Sequence, residues 1–229
     1  MKEQPEGHLE GHLETALRSL AAEVETARTW SRASRSLGQE RIVTVFGSAR
    51  TKPGDPSYEL ARSLGAAVAQ RGWAAVTGGG PGIMQAVRDG SGELLSRAVR
   101  IEIAGEVPDT VLDPSRSITV GTFALRKLLL THDIDALFVF PGGVGTLDEL
   151  YEVLVHQDTD QHRPFPVILM QPEGVQLWDA WLRFMNEHLV RTGLVSPSIM
   201  SQVAIADSVE DALALADKGI PADRAGATA

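Results

Sequence analysis

From residue 42 onward, short apolar runs alternate with stretches of helical periodicity, and that alternation leaves few folds open to the chain. The runs fall at 42–46, 74–77, 99–103, 136–140, 167–170 and 203–206. Their nearly continuous apolar character is that of strands buried on both faces. Between them, helical patterns fall around 58–71, 82–89, 123–132, 147–157, 177–189 and 209–218, with apolar residues at the spacing of one helix face. Strand and helix in strict alternation build right-handed βαβ units. The predicted architecture is α/β: a doubly wound parallel sheet with helices on both faces. Ahead of it, Leu9, Leu13, Leu17, Leu20, Val24, Ala27 and Trp30 mark an N-terminal helix. Its apolar face has to pack on the domain or on a second subunit. The expected organisation is a helical extension over 1–40, one domain over 41–220, and a loose, small-residue tail over 221–229.

Composition narrows what such a domain can do. With 229 residues and 43% hydrophobic side chains, one sizeable core is within reach. A formal net charge of -9 argues against a nucleic-acid polymer as partner, since that would require a basic face. It leaves room for a single nucleotide, whose phosphate can be held by backbone amides and one or two cations. The chain has no Cys, which excludes disulfides, thiolate catalysis and Cys-ligated zinc. No leader pattern or long apolar run is present, so a cytoplasmic protein without a membrane partner is expected.

Three glycine-bearing loops follow strands, at the sheet edge where α/β proteins bind ligands. They are Gly47-Ser48-Ala49-Arg50, Gly78-Gly79-Gly80-Pro81-Gly82 and Pro141-Gly142-Gly143-Val144-Gly145-Thr146. None closes with the Gly-Lys-Ser/Thr of a P-loop. The dinucleotide fingerprint also fails: Gln85 and Asp148 stand where its third glycine belongs, although Glu102 lies at a suitable distance to hold a ribose hydroxyl and keeps an NAD site in competition. Thr146-Leu147-Asp148-Glu149 reads in two ways. It fits a capping box, with the Thr hydroxyl and the Glu carboxylate satisfying helix-end amides. It equally fits a catalytic carboxylate beside an anion pocket. Arg126-Lys127 interrupts an apolar helical stretch and is the candidate cation, against a structural ion pair as the plainer reading. His8 and His12 share a helical face, but no third metal ligand accompanies them, and no metal site is assigned.

Taken in order, Val45-Phe46-Gly47-Ser48-Ala49-Arg50, Thr77-Gly78-Gly79-Gly80-Pro81-Gly82-Ile83-Met84, Arg126-Lys127 and Pro141-Gly142-Gly143-Val144-Gly145-Thr146-Leu147-Asp148-Glu149 form a set. This set resembles the LONELY GUY family of nucleoside 5′-monophosphate phosphoribohydrolases, which activate cytokinins and have often been mislabelled as lysine decarboxylases. The resemblance covers roughly residues 41–218. It implies a single Rossmann-like domain, usually homodimeric, that hydrolyses the N-glycosidic bond of AMP or an N6-substituted AMP, with no cofactor and no metal. Carried over by motif, Glu149 and Arg126 are the catalytic pair, and Gly142, Gly143, Gly145 and Thr146 hold the phosphate. Gly47, Ser48 and Lys127 join the substrate site, and Gly79, Gly80 and Met84 border the nucleotide. Molybdenum-cofactor carriers resemble the same architecture, so a non-hydrolytic nucleotide or cofactor carrier is the alternative. The chain departs from the family between Ser91 and Gly121. It lacks the usual glycine-containing strand ending in Leu-Pro, and Thr119-Val120-Gly121-Thr122 replaces bulkier aromatic residues.

Overall fold

A computed structural model of the chain describes residues 6–39, 41–101, 113–161 and 163–219. Seven strands form one sheet: β1 (Ile42–Phe46), β2 (Ala74–Thr77), β3 (Ser96–Ile101), β4 (Ser117–Val120), β5 (Ala136–Val139), β6 (Val167–Met170) and β7 (Val203–Ala206). Their spatial order is β4-β3-β2-β1-β5-β6-β7, and every pairing is parallel. The chain thus winds outward from β1 in one direction as far as β4, then returns to lay β5 on the other side of β1. That reversal between β1 and β5 is the switch point at which such sheets open a crevice at their carboxyl edge.

The helices are α1 (Glu6–Arg35), α2 (Pro56–Gln70), α3 (Ile83–Leu95), α4 (Phe123–Thr131), α5 (Val144–Asp158), α6 (Leu177–Phe184), α7 (Pro197–Met200) and α8 (Val209–Gly219). Side chains of β5 show why both faces must be covered. Leu137 and Val139 enter one core with Leu150, Val153, Leu169 and Trp178, under α4 to α7. Ala136 and Phe138 enter the other with Leu64, Ile83, Ile168 and Leu213, under α2, α3 and α8. Successive residues of a strand point to opposite faces, so only an unbroken apolar run can serve two cores.

The doubly wound sheet agrees with expectation, with instructive differences. Seven strands stand where six apolar runs were recognised. β4 reads Ser-Ile-Thr-Val, and only alternate positions are buried, as befits an edge strand. The expected strand over 99–103 begins earlier, at Ser96, and Glu102 and Ile103 lie outside the described residues. The helix expected over 177–189 changes its winding at Met185 and continues to Val190 as a π-helical segment, in which Arg191 N–H donates to the Asn186 carbonyl across five residues. The tail from 221 lies outside the described residues. Helix α1 packs its second half on the domain: Ala27 and Ser34 are buried, and Arg35 pairs with Asp133. Leu17, Leu20 and Val24, further up the same helix, are exposed.

Candidate active site

The three glycine loops meet above the switch point because they are stitched to one another. Phe140 N–H donates to the Phe46 carbonyl (2.8 Å), Ser48 N–H to the Pro141 carbonyl (3.3 Å), and Ile83 N–H to the Ser48 carbonyl (3.0 Å). The last contact needs Gly82: its φ is +68°, and a Cβ there would fall 2.2 Å from the Ser48 carbonyl oxygen. Between the loops lies a cavity of about 500 Å³, lined by residues of all three together with Arg126 from α4 and Glu149 from α5.

Helix α5 begins at Val144 with Gly143 as its cap, in extended conformation. Thr146 therefore sits inside the first turn and cannot cap it, and no side-chain cap is made. This removes the capping-box reading of Thr146 to Glu149. The Thr146 side chain instead packs against Gly142, where a Cβ would fall 2.2 Å from its Oγ1. The first amides of α5 have no intrahelical acceptor and carry the positive end of the helix dipole, which suits an anion. Gly143 and Gly145 line the cavity, and a Cβ at either would meet no protein atom within 4 Å. Their bare backbone leaves room for a ligand to reach those amides.

One turn further on, the Glu149 side chain is only 15% exposed, and its Oε1 lies 3.6 Å from Arg126 Nη1. Burial pushes this carboxyl from 4.5 up to about 7, against the lowering effect of Arg126 and Lys127; Asp148 and Glu152 add to the rise. Loss of hydration outweighs the ion pair, so Glu149 can exchange a proton near neutrality. Arg126 is itself fixed, its Nε donating to the Val99 carbonyl (3.2 Å). Its guanidinium lies over Gly78, where a Cβ would come 2.1 Å from Nη2. The triple glycine is thus a seat for the arginine as much as a turn.

Of the residues singled out by sequence, Glu149, Arg126, Gly143, Gly145, Thr146, Gly47, Ser48 and Met84 come together on the cavity wall. Gly142, Gly79 and Gly80 shape the loops from behind: a Cβ on Gly80 would meet Met84 Cε at 2.8 Å, and one on Gly79 would meet Arg100 Cγ at 2.8 Å. Lys127 does not line the cavity. Its ammonium binds Asp148 (2.8 Å) and Glu152 (2.5 Å), and although burial opposes its charge, those two carboxylates hold its pKa above the ordinary lysine value. The cavity also takes in Arg50 and Gly78, which the sequence displays in its loops but which drew no assigned role. Glu102, the residue that kept an NAD site in competition, lies outside the described residues.

Comparison with known proteins places this arrangement in context. Residues 82–216 match the protein family described as "Possible lysine decarboxylase". The chain is 34% identical over 160 residues to the cytokinin riboside 5′-monophosphate phosphoribohydrolase of Mycobacterium tuberculosis, covering 68% of this chain and 82% of that one. It is 31% identical over 181 residues to the enzyme of the same name from Mycobacterium marinum, covering 77% and 92%. Among solved structures, the molybdenum cofactor binding protein of Rippkaea orientalis superimposes with a TM-score of 0.56 at 25% identity, covering 78% of this chain and 96% of that one.

Proposed function

Since the chain belongs to the LONELY GUY family, whose relatives bear the name cytokinin riboside 5′-monophosphate phosphoribohydrolase, we propose that it hydrolyses the N-glycosidic bond of purine nucleoside 5′-monophosphates, AMP or N6-modified AMP, to free base and ribose 5-phosphate. The observation that carries this reading is the buried Glu149 carboxyl facing a cavity whose wall is the open amino end of its own helix. The amides of Gly143 to Thr146 hold the 5′-phosphate, and this remote binding energy sets C1′ against Glu149. Gly47, Ser48 and Met84 line the rest of the nucleotide's space.

The C1′–N bond breaks with its electron pair leaving on the base, and the sugar passes through an oxocarbenium-like state. The ionised Glu149 carboxylate stabilises that positive charge. It also takes a proton from the water whose oxygen bonds to C1′, and the departing base gains a proton from solvent. Arg126, 3.6 Å from Glu149, holds the carboxylate in place and offers positive charge to the electron-rich leaving group. No step draws on a cofactor. Lys127, engaged with Asp148 and Glu152, supports α4 against α5 rather than reaching the substrate.

A homodimer belongs to the same reading: Phe123 and Leu128 of α4 and Tyr151 and Val155 of α5 leave apolar surface exposed on the helices that carry the catalytic pair. A cytoplasmic setting agrees with a chain that has no Cys. No helix among the described residues is long and apolar enough to cross a membrane. The likeness to a molybdenum cofactor binding protein supports a second reading, a carrier on the same scaffold. Chromatography of the protein incubated with AMP and isopentenyl-AMP separates the two. Free base together with ribose 5-phosphate is the expected result; a nucleotide retained intact would favour the carrier.

A further inference from the structure

Two arginines line the cavity, and they are not equivalent. Arg126 is committed at the floor, to the Val99 carbonyl and to Glu149. Arg50 is exposed in the loop that follows β1, and no described carboxylate pairs with its guanidinium. Its backbone is anchored, because Arg50 N–H donates to Ser48 Oγ (3.0 Å) and the Ser48 main chain is tied to both neighbouring loops. Arg50 thus lines, from a fixed backbone, the same cavity that the amino end of α5 lines with Gly143, Val144 and Gly145. The remaining charge around the site makes a second cation necessary. A phosphate monoester carries up to two negative charges, the helix end supplies only about half a positive charge, and Glu149 adds a negative one. Lys127, the other nearby cation, is held by its two carboxylates.

We propose that Arg50 closes on the 5′-phosphate from the mouth of the cavity, forming the paired hydrogen bonds a guanidinium makes with phosphate oxygens, and so makes the site select a phosphorylated ribose over the bare nucleoside. This rests on the phosphoribohydrolase reading, and two measurements keep the two claims apart. In steady-state assays, Arg50→Ala raises the KM for AMP about tenfold or more, while kcat moves much less. Arg50→Lys recovers part of the loss, because a point charge replaces a fork. The preference for AMP over adenosine falls in proportion to the KM change. Calorimetric binding of ribose 5-phosphate needs no turnover: it weakens by a similar factor in Arg50→Ala if the assignment holds, whether or not AMP is hydrolysed. Equal binding by wild type and variant, or binding by neither, overturns the role of Arg50. Absence of base release from AMP by wild type counts against the hydrolase alone.

Discussion

A carboxyl group that titrates near 7 on the wall of a cavity sets a condition on the stability of the whole protein. In the unfolded chain Glu149 loses its proton near 4.5, and in the folded chain near 7, so between those values the folded state binds more protons. The stability associated with this group is therefore present below about pH 4.5 and lost as pH rises to about 7, by on the order of 2–3 kcal/mol. Glu149→Gln escapes that loss. The variant is expected to unfold at a higher temperature than wild type at pH 8, with the gap closing at pH 4.5; a gap independent of pH would mean the carboxyl is not desolvated. Gly78 supplies a second test. Gly78→Ala sets a methyl group where the Arg126 guanidinium lies, so base release should fall at least about tenfold while the far-ultraviolet circular dichroism stays that of wild type. An unchanged rate would detach Arg126 from the chemistry. Glu149 and Arg126 could be picked out in the sequence because each breaks a local pattern, one as an acid after a glycine turn, the other as a basic residue among leucines. Gly78 and Arg50 could not, since their roles depend on what lies opposite them, across loops joined only by folding.

At the level of elements, the proposed phosphate site is the amino end of α5 made approachable by glycine. Gly145 lies in the first turn of that helix, where a Cβ would touch no protein atom. Gly145→Ala should therefore leave the fold intact and stabilise it by up to about 0.5–1 kcal/mol, because alanine gives up less backbone entropy. The same methyl group would intrude on the phosphate and raise the KM for AMP. A higher melting temperature with an unaltered KM would show that the phosphate does not sit there. The sequence revealed the start of this helix only ambiguously, since Thr-x-x-Glu serves both a capping box and a catalytic turn. The structure separates the two by beginning the helix two residues before Thr146. Six of the seven strands were legible as apolar runs. β4 was not, because an edge strand buries one face only and four residues give too short an alternation to recognise. Likewise, the π-helical segment after α6 carries no periodicity that differs from its helix over six residues.

Across the whole molecule, the doubly wound order follows from the alternation of buried strands and amphipathic helices, and the switch point between β1 and β5 follows from that order. The three glycine loops stand near that point because the chain returns there three times, after β1, β2 and β5, and α4 adds Arg126 to the same cavity. What alternation does not encode is which apolar residues remain outside: those exposed on α1, α4 and α5 are separate in sequence and become surfaces only after folding. With a net charge of -9, a phosphate ligand would depend on positive charge gathered locally at the cavity rather than on the field of the whole molecule. The most direct test is the release of adenine from AMP by wild-type protein and by Glu149→Gln under identical conditions at neutral pH. Wild type should yield adenine and ribose 5-phosphate in equal amounts, and the variant should lose at least about a hundredfold in kcat while still binding ribose 5-phosphate. Adenine released equally fast by both proteins would contradict the assignment of Glu149 as the group that acts on C1′.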